Sequence, residues 1–373
     1  MSCKISLTPN SKFLNSHRIV VAMSGGVDSS TAAALLKEQG YDVIGISMKL
    51  WDYPDDINRF GGCCTLDDIN DARKVADKLD IPFYVVNMED VFSKEVVDYF
   101  VSAYLKGETP NPCLKCNQIL KFETLLKKAV ELEADYLATG HYARIVYNDL
   151  SKRYKLLKGV DKDKDQSYFL FTMTQEQMSK IMFPLGSLAK SDVRVHARRF
   201  GLKIAEKKES QDICFVSGSQ YHDFIAKMTG VYENSGDIVD RDGNLLGKHS
   251  GLYKYTIGQR KGIGIAAGKP QYVVDIDAKN NRLVVGSRYD AFSDGLIARD
   301  INWISMVSPE LQMDVESKIR YRHKGVKSVV KPIGEGRAEV EFFSPECAVT
   351  PGQAVVFYKG EEVTGGGWIE RRL

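Results

Sequence analysis

Residues 19–30, IVVAMSGGVDSS, followed by TAAALLKEQG, constrain the fold of this chain more than any other stretch. An apolar β-branched run, a Ser-Gly-Gly-x-Asp-Ser-Ser loop and a helix start specify a strand, a tight turn and a helix. In such a turn the glycines let the backbone approach a ligand closely, and Ser24, Ser29 and Ser30 add hydroxyl donors. The unsatisfied N–H groups at the helix start point at the same place, which suits a pyrophosphate. The loop lacks the Gly-Lys-Ser/Thr ending of a kinase-type P-loop, so it carries no lysine of its own for the β and γ phosphates. That difference favours chemistry at the α-phosphate, with AMP transferred and pyrophosphate released.

The first two hundred or so residues continue the same alternation. IVVAM, YDVIGISMKLW, IPFYVVNM and ADYLATGHYARI read as strands, with helical spacing in LDDINDARKVADKLD, VFSKEVVDYFVSAYLKG and QILKFETLLKKAVELE. Strands alternating with helices predict an α/β domain with a parallel sheet. Its crevice lies at the carboxyl ends of the strands, where Ser24–Ser30, Met48–Trp51 and Gly140–His141 converge. After about residue 210 the texture becomes Gly-rich with short β runs and turn signals such as Asp242-Gly243. KSVVKPI, RAEVEFF and QAVVFYKGEEVTGGGWIE then recur with turns between them. The expected architecture is therefore an α/β nucleotide domain over 1–208, a small β-rich connector over 209–285, and a C-terminal β-barrel-like domain over 286–373.

At 373 residues the chain exceeds one ordinary core, and 43% hydrophobic with 27% charged residues is a globular balance. The net charge of +2 announces no polyanionic partner, so a nucleic-acid surface has to come from local clustering. No apolar run reaches the length of a membrane span, and the polar start MSCKISLTPNSKFLNSHR lacks a signal-peptide core. The compartment is accordingly read as cytoplasmic and reducing. Seven cysteines then argue for redox, metal or nucleophilic roles more than for structural disulfides.

The loop at Ala22–Ser29 resembles the pyrophosphate-binding loop of the N-type ATP pyrophosphatases, the PP-loop superfamily. Further segments make the resemblance more specific: GGCCTLDDINDARKVADKLDIPFYVVN, TPNPCLKCN followed by LKF, ATGHYAR, DKDKDQSYFL, ESQDICFV, GLYKYTIGQRKGIGI and IRYRHKG. Through essentially its whole length the chain resembles the bacterial tRNA-specific 2-thiouridylases, which replace oxygen by sulfur at C2 of the wobble uridine. The resemblance implies ATP along Ala22, Met23, Ser24, Gly25, Gly26, Val27, Asp28 and Ser29, with Met48 and Gly140 on the adenosine side. Asp28 would organise the loop or a Mg²⁺ ion. It implies Cys214 as a persulfide carrier and Cys116 as the thiol that attacks or resolves it, a disulfide-forming step fed by a sulfur-donor protein such as a cysteine desulfurase or relay. Both roles require thiolates, which favours a polar, partly exposed setting.

This chain departs from the commoner family pattern at Cys113, where many members carry Asp. Cys113, Cys116 and Cys214 together make three thiols, the number that holds an open-sited [4Fe–4S] cluster in related tRNA thiolases. CxxC spacing also serves zinc and dithiol chemistry, so both readings stay open at this point. Adjacent Cys63 and Cys64 follow the second strand on a Gly-rich loop, where packing or an incidental role is favoured over completing a metal site; Cys3 and Cys347 read as incidental.

For tRNA, the resemblance implies contacts from Lys164, Asp165 and Gln166, from His141 and Gln353, from Arg320 and Tyr321, and from Asn111, Pro112 and Cys113 against the target base. Arg320–Lys324, extended by Lys327 and Lys331, and the group Lys254, Arg260 and Lys261 are the local basic clusters. Arg and Lys suit phosphates, and Tyr or Arg stacks on unpaired bases. Two other readings compete: a PP-loop ligase activating a carbonyl for nitrogen, for which the paired cysteines are superfluous, and a non-catalytic RNA-binding protein, against which the intact loop speaks.

Overall fold

The computed structural model describes residues 17–51, 65–207, 213–216, 220–266, 268–309 and 311–373. Cys3, Cys63 and Cys64 and the expected domain boundary at 208 lie outside these residues. The chain forms two compact units, one of Met1–Glu95, Cys113–Gly218 and Glu361–Val363, the other of Val96–Pro112, Ser219–Gly360 and Thr364–Leu373.

The first unit is the expected α/β fold. Strand β1 (Arg18–Ala22) enters helix α1 (Val27–Glu38), and β2 (Asp42–Lys49), α2 (Leu66–Leu79) and β3 (Phe83–Asn87) follow. With β4 (Tyr136–Ala138) and a short β7 (Ile181–Met182) these make a sheet in the order β3-β2-β1-β4-β7, each pairing parallel. Ile19, Val20 and Val21 are fully buried, as a strand covered on both faces requires. Ile19 and Val21 join Val43, Ala72, Val75, Ala76 and Leu202 in one core. The start of α2 is fixed by a capping box: the Thr65 side chain accepts from the Asp68 N–H, and the Asp68 carboxylate accepts from the Thr65 N–H.

Two expectations are refined. ADYLATGHYARI is two strands, because β4 ends before Gly140 and β5 (Ala143–Asn148) turns away to form an antiparallel hairpin with β6 (Arg153–Lys158). Gly140 is the breaking point: a Cβ there would lie 2.7 Å from the Ser29 nitrogen and 2.9 Å from the Asp28 carbonyl carbon. The helix expected over QILKFETLLKKAVELE starts earlier, at Pro112, and runs through a π-helical stretch, Cys116–Leu125, to Glu131. Proline suits a first helical position, and nothing in CLKCNQ stops the helix after it.

In the second unit β8 (Gly236–Val239), β9 (Leu245–His249), β10 (Tyr272–Asp277) and β11 (Arg282–Gly286) form the connector sheet, in the order β10-β11-β8-β9. Its core gathers Ile238, Leu252, Tyr255, Val273, Leu283 and Val285. β12 (Phe292–Trp303), β13 (Met313–Lys318), β14 (Val326–Gly334), β15 (Arg337–Cys347), β16 (Ala354–Lys359) and β17 (Glu362–Arg372) run antiparallel in the order β12-β15-β14-β13-β16-β17. An additional β12–β17 pairing closes the ring, so this C-terminal part is a barrel without free edges. Leu296, Val315, Val330, Val340, Phe357 and Ile369 fill it.

Candidate active site

The loop between β1 and α1 is held by its own hydroxyls. Ser24 N–H donates to Ser29 Oγ at 3.1 Å, the two Oγ atoms lie 3.3 Å apart, and Ser29 Oγ donates to the Gly26 carbonyl at 3.4 Å. Gly25 adopts φ +69°, and a Cβ there would sit 2.0 Å from the Asp68 carbonyl oxygen, so only glycine fits. Gly26 is the extended N-cap of α1 and receives no side-chain cap, which leaves the first N–H groups of a twelve-residue helix for an anion. Met23 N–H bonds to the Ile46 carbonyl and Ser47 Oγ donates to the Met23 carbonyl, fixing the loop's root against β2. Met48 is buried at the end of that strand. With Gly140 packed on the Asp28–Ser29 backbone, the three expected segments do come together at the carboxyl ends of adjacent strands.

Sequence reasoning missed the loop's two lysine partners. Lys190 Nζ, from the first residue of the helix Lys190–Arg199, lies 2.7 and 2.8 Å from the two Asp28 carboxylate oxygens, and Tyr142 Oη donates to Asp28 Oδ1 at 2.7 Å. The Asp28 carboxylate is thus spent on loop architecture. Lys207 Nζ donates to the Gly25 carbonyl at 3.2 Å, to Asp68 Oδ1 at 2.8 Å and to Asp71 Oδ2 at 2.7 Å. Burial opposes this ammonium's charge, but the Asp68 and Asp71 hydrogen bonds outweigh it and hold the pKa above the ordinary lysine value. The separation of 162 and 182 residues between partners hides both lysines from any local motif.

The two expected sulfur residues both belong to this unit. Cys113 is exposed in the first turn of its helix, Cys116 is half-buried at the head of the π-helical stretch, and Cys214 is half-buried in a turn closed by Val216 N–H to the Ile213 carbonyl. Phe215 anchors that turn by packing edge-on against Phe92 at 5.6 Å, and Phe92 in turn meets Trp51 at 6.2 Å. The short helix Glu89–Phe92 also packs on the Cys116–Leu125 stretch, so the Cys214 turn and the Cys116 helix share a neighbour. Among the described residues, no group of three or more His, Cys, Asp or Glu side chains is arranged to hold a metal ion.

Several residues expected at tRNA are built into the α/β unit. Asp165 is buried and accepts from Gly159 N–H, Ser167 N–H and Ser167 Oγ at 3.0 to 3.1 Å. Gln166 exchanges two bonds with the Tyr142 backbone, its side chain accepting at 3.0 Å and its N–H donating at 2.9 Å, which places the ring that reaches Asp28. Lys164 is half-buried beside them. His141 is buried between Phe122 and Phe183 with Nδ1 2.6 Å from Thr139 Oγ1. Burial, with Lys121 adding to it, pushes its pKa well below the usual histidine value, so it is neutral.

In the second unit, Gln353 Nε2 donates to the Thr109 carbonyl at 2.7 Å and Thr109 N–H to the Pro351 carbonyl at 2.9 Å. The barrel thereby fixes the run that continues into Asn111, half-buried, and Pro112, buried. Arg320 is exposed with Nη1 on the Cys347 carbonyl at 3.2 Å, Tyr321 is half-buried, and His323 Nε2 lies 3.0 Å from Glu346. The extension of this run is less basic than its sequence: Lys327 faces Glu316 and Lys331 faces Glu339 across the strands. Arg260 and Lys261 are exposed in the connector.

Three family models match in succession: a tRNA methyl transferase HUP domain over 17–218, a tRNA methyl transferase PRC-barrel domain over 222–287, and an aminomethyltransferase beta-barrel domain over 293–369. The chain is 56% identical over 360 residues to a tRNA-specific 2-thiouridylase MnmA of Geotalea uraniireducens, covering 95% of this chain and 96% of that one. Relatives of the same name from Geobacter metallireducens and Acetivibrio thermocellus are 54% and 50% identical, over 95% and 96% of this chain and 97% and 100% of theirs. With the nucleotide-type loop, the anchored cysteine turn and this match through nearly its whole length, the chain belongs to the tRNA-specific 2-thiouridylase family.

Proposed function

We propose that this enzyme converts the wobble uridine of tRNA to 2-thiouridine by adenylation followed by persulfide transfer. A urea-like C2 carbonyl is a poor electrophile, so its oxygen first attacks the α-phosphate of ATP and pyrophosphate leaves. The uncapped start of α1 with Ser24, Gly25 and Gly26 would hold the departing pyrophosphate, and Met48 and Gly140 would line the adenosine side. A Mg²⁺ ion would travel on the phosphate oxygens, since Asp28 is engaged by Lys190 and Tyr142.

The terminal sulfur of a Cys214 persulfide then bonds to C2. The Cys116 thiolate attacks Cys214 Sγ, the S–S bond to the transferred sulfur breaks, and AMP leaves with the former C2 oxygen. The products are 2-thiouridine and a Cys116–Cys214 disulfide, which an external thiol reduces before a donor protein reloads Cys214. The observation that supports this reading is a shared neighbour: Phe215, next to Cys214, packs on Phe92, and the helix of Phe92 packs on the stretch that begins at Cys116. We assign tRNA contact to Arg320, Tyr321, Lys164 and the Asn111–Cys113 segment, and a cytoplasmic location to the enzyme.

Mass spectrometry of tRNA nucleosides after incubation with ATP and a persulfide donor tests it. Cys214→Ser is expected to accumulate adenylated tRNA without 2-thiouridine, and undiminished 2-thiouridine from that variant would remove Cys214 from the carrier role.

A further inference from the structure

The turn between β13 and β14 carries Arg320 and Tyr321, and two of its side chains reach the same end of β15. Arg320 Nη1 donates to the Cys347 carbonyl at 3.2 Å, and His323 Nε2 lies 3.0 Å from Glu346 Oε2. The turn itself is closed by His323 N–H donating to the Arg320 carbonyl at 3.0 Å. Its anchorage is firm: Glu346 and Cys347 pair with Ser293 and Phe292 on β12, and Ala348 N–H donates to the Ala291 carbonyl.

The two anchors differ in kind. Arg320 is exposed, and among the described residues its guanidinium pairs with no carboxylate. The His323 side chain is only 8% exposed, and that of Glu346 22%. Against a carboxylate the ring nitrogen is the donor, so Nε2 carries the proton of this bond. His323 Nδ1 is buried with no partner among the described residues, which leaves Glu346 as the polar group that holds the ring.

A carboxylate one residue from the acceptor of Arg320 is a natural competitor for that arginine. Guanidinium and carboxylate form a strong two-pronged pair, and an arginine so engaged has less charge and fewer donors left for a phosphate. The barrel imposes such facing on Lys327 and Lys331, which meet Glu316 and Glu339 by strand register. Arg320 escapes it because His323 already occupies Glu346.

We infer that His323 is a positioning residue for tRNA binding, which holds the Glu346 carboxylate and so keeps the neighbouring Arg320 guanidinium available to an RNA phosphate. The inference rests on the reading of Arg320 as a tRNA contact. His323 touches no RNA in this scheme and acts through Glu346.

Binding of the full-length protein to an unmodified tRNA with a wobble uridine, measured across a salt series, reads this directly. His323→Leu fills the buried space and releases Glu346. It should weaken binding and lower the slope of log K against log salt by roughly one, the same loss as Arg320→Ala. Combining His323→Leu with Glu346→Gln should return affinity and slope to the parent values, because the competing charge is gone. In the Arg320→Ala background, His323→Leu should add nothing. A loss that Glu346→Gln does not repair would make the ring a packing element only and overturn the inference. Parent-like binding in His323→Leu beside a weakened Arg320→Ala would overturn it too, while leaving the Arg320 contact standing. An unchanged slope in Arg320→Ala would remove that contact and the inference with it. Thermal unfolding checks each variant, and if His323→Leu does not fold, His323→Ser, too short to reach Glu346, replaces it in the same comparisons.

Discussion

Lys190 closes a two-pronged ion pair on Asp28, with Nζ 2.7 and 2.8 Å from the carboxylate oxygens and its side chain only 11% exposed. The loop has no lysine of its own, yet the fold brings one to it from the start of a distant helix. Tyr142 Oη completes the grip, and Gln166 holds the Tyr142 backbone. Asp28 is thus the point where the loop is tied to the remainder of the α/β unit.

Asp28→Ala should abolish tRNA-dependent pyrophosphate release while tRNA binding stays largely intact. Lys190→Met should act in the same direction and lower stability by about 1–3 kcal/mol, because a part-buried carboxylate loses its charged partner and keeps only the tyrosine hydroxyl. Pyrophosphate release and denaturant midpoints measured on both variants check this. A normal rate of thiolation in Asp28→Ala would mean that the loop is not the nucleotide site.

How much of this was legible in the sequence follows from the range of the interactions. The strands IVVAM and DVIGISMK, the helix LDDINDARKVADKL and the C-terminal run of strands declare themselves through local periodicity, and barrel closure needs no more than their count and order. The loop declares itself because its conformation depends on glycines and serines within a few residues. Lys190 and Lys207 do not, since Lys190 meets Asp28 across 162 residues and Lys207 meets Asp71, Asp68 and Gly25 across 136, 139 and 182. Gly140 was legible as a crevice residue but not as the break in ADYLATGHYARI, because the obstacle is the Asp28–Ser29 backbone. Lys327 and Lys331 look like part of a basic run until register sets Glu316 and Glu339 opposite them.

His141 sets a pH dependence of stability. Its pKa is held well below the usual histidine value by burial, so the unfolded chain takes up a proton that the folded one refuses. The stability this histidine permits is complete above the unfolded value near 6.5 and is lost as pH falls from there toward the lower folded value. His141→Gln should flatten the fall of Tm between about pH 7 and pH 5. A parallel fall in the variant would assign the slope to other groups.

Arg320→Ala should weaken tRNA binding and lower the slope of log K against log salt by roughly one, the loss of a single phosphate contact. Arg320 is exposed, and its single bond to the Cys347 carbonyl is worth only about 1 kcal/mol, so the barrel should remain folded. Binding measured across a salt series separates the two effects. An unchanged slope would mean that this turn faces solvent in the complex.

Cys113→Asp tests the choice between persulfide and cluster chemistry. Cys113 is exposed in the first helical turn, one residue after Pro112, where a carboxylate is well tolerated and even favoured by the unsatisfied N–H groups there. The substitution also restores the residue more common in the family, so under persulfide transfer by Cys116 and Cys214 it should retain most of the parent activity. Under cluster chemistry Cys113 would be one of three iron ligands, and an aspartate is a poor substitute for a thiolate on such iron. Iron, visible absorbance and thiolation would then fall together. Two thiols, Cys116 and Cys214, suffice for persulfide transfer. An active, iron-free Cys113→Asp enzyme is therefore the expected result, and a colourless, inactive variant beside a brown, active parent would overturn it.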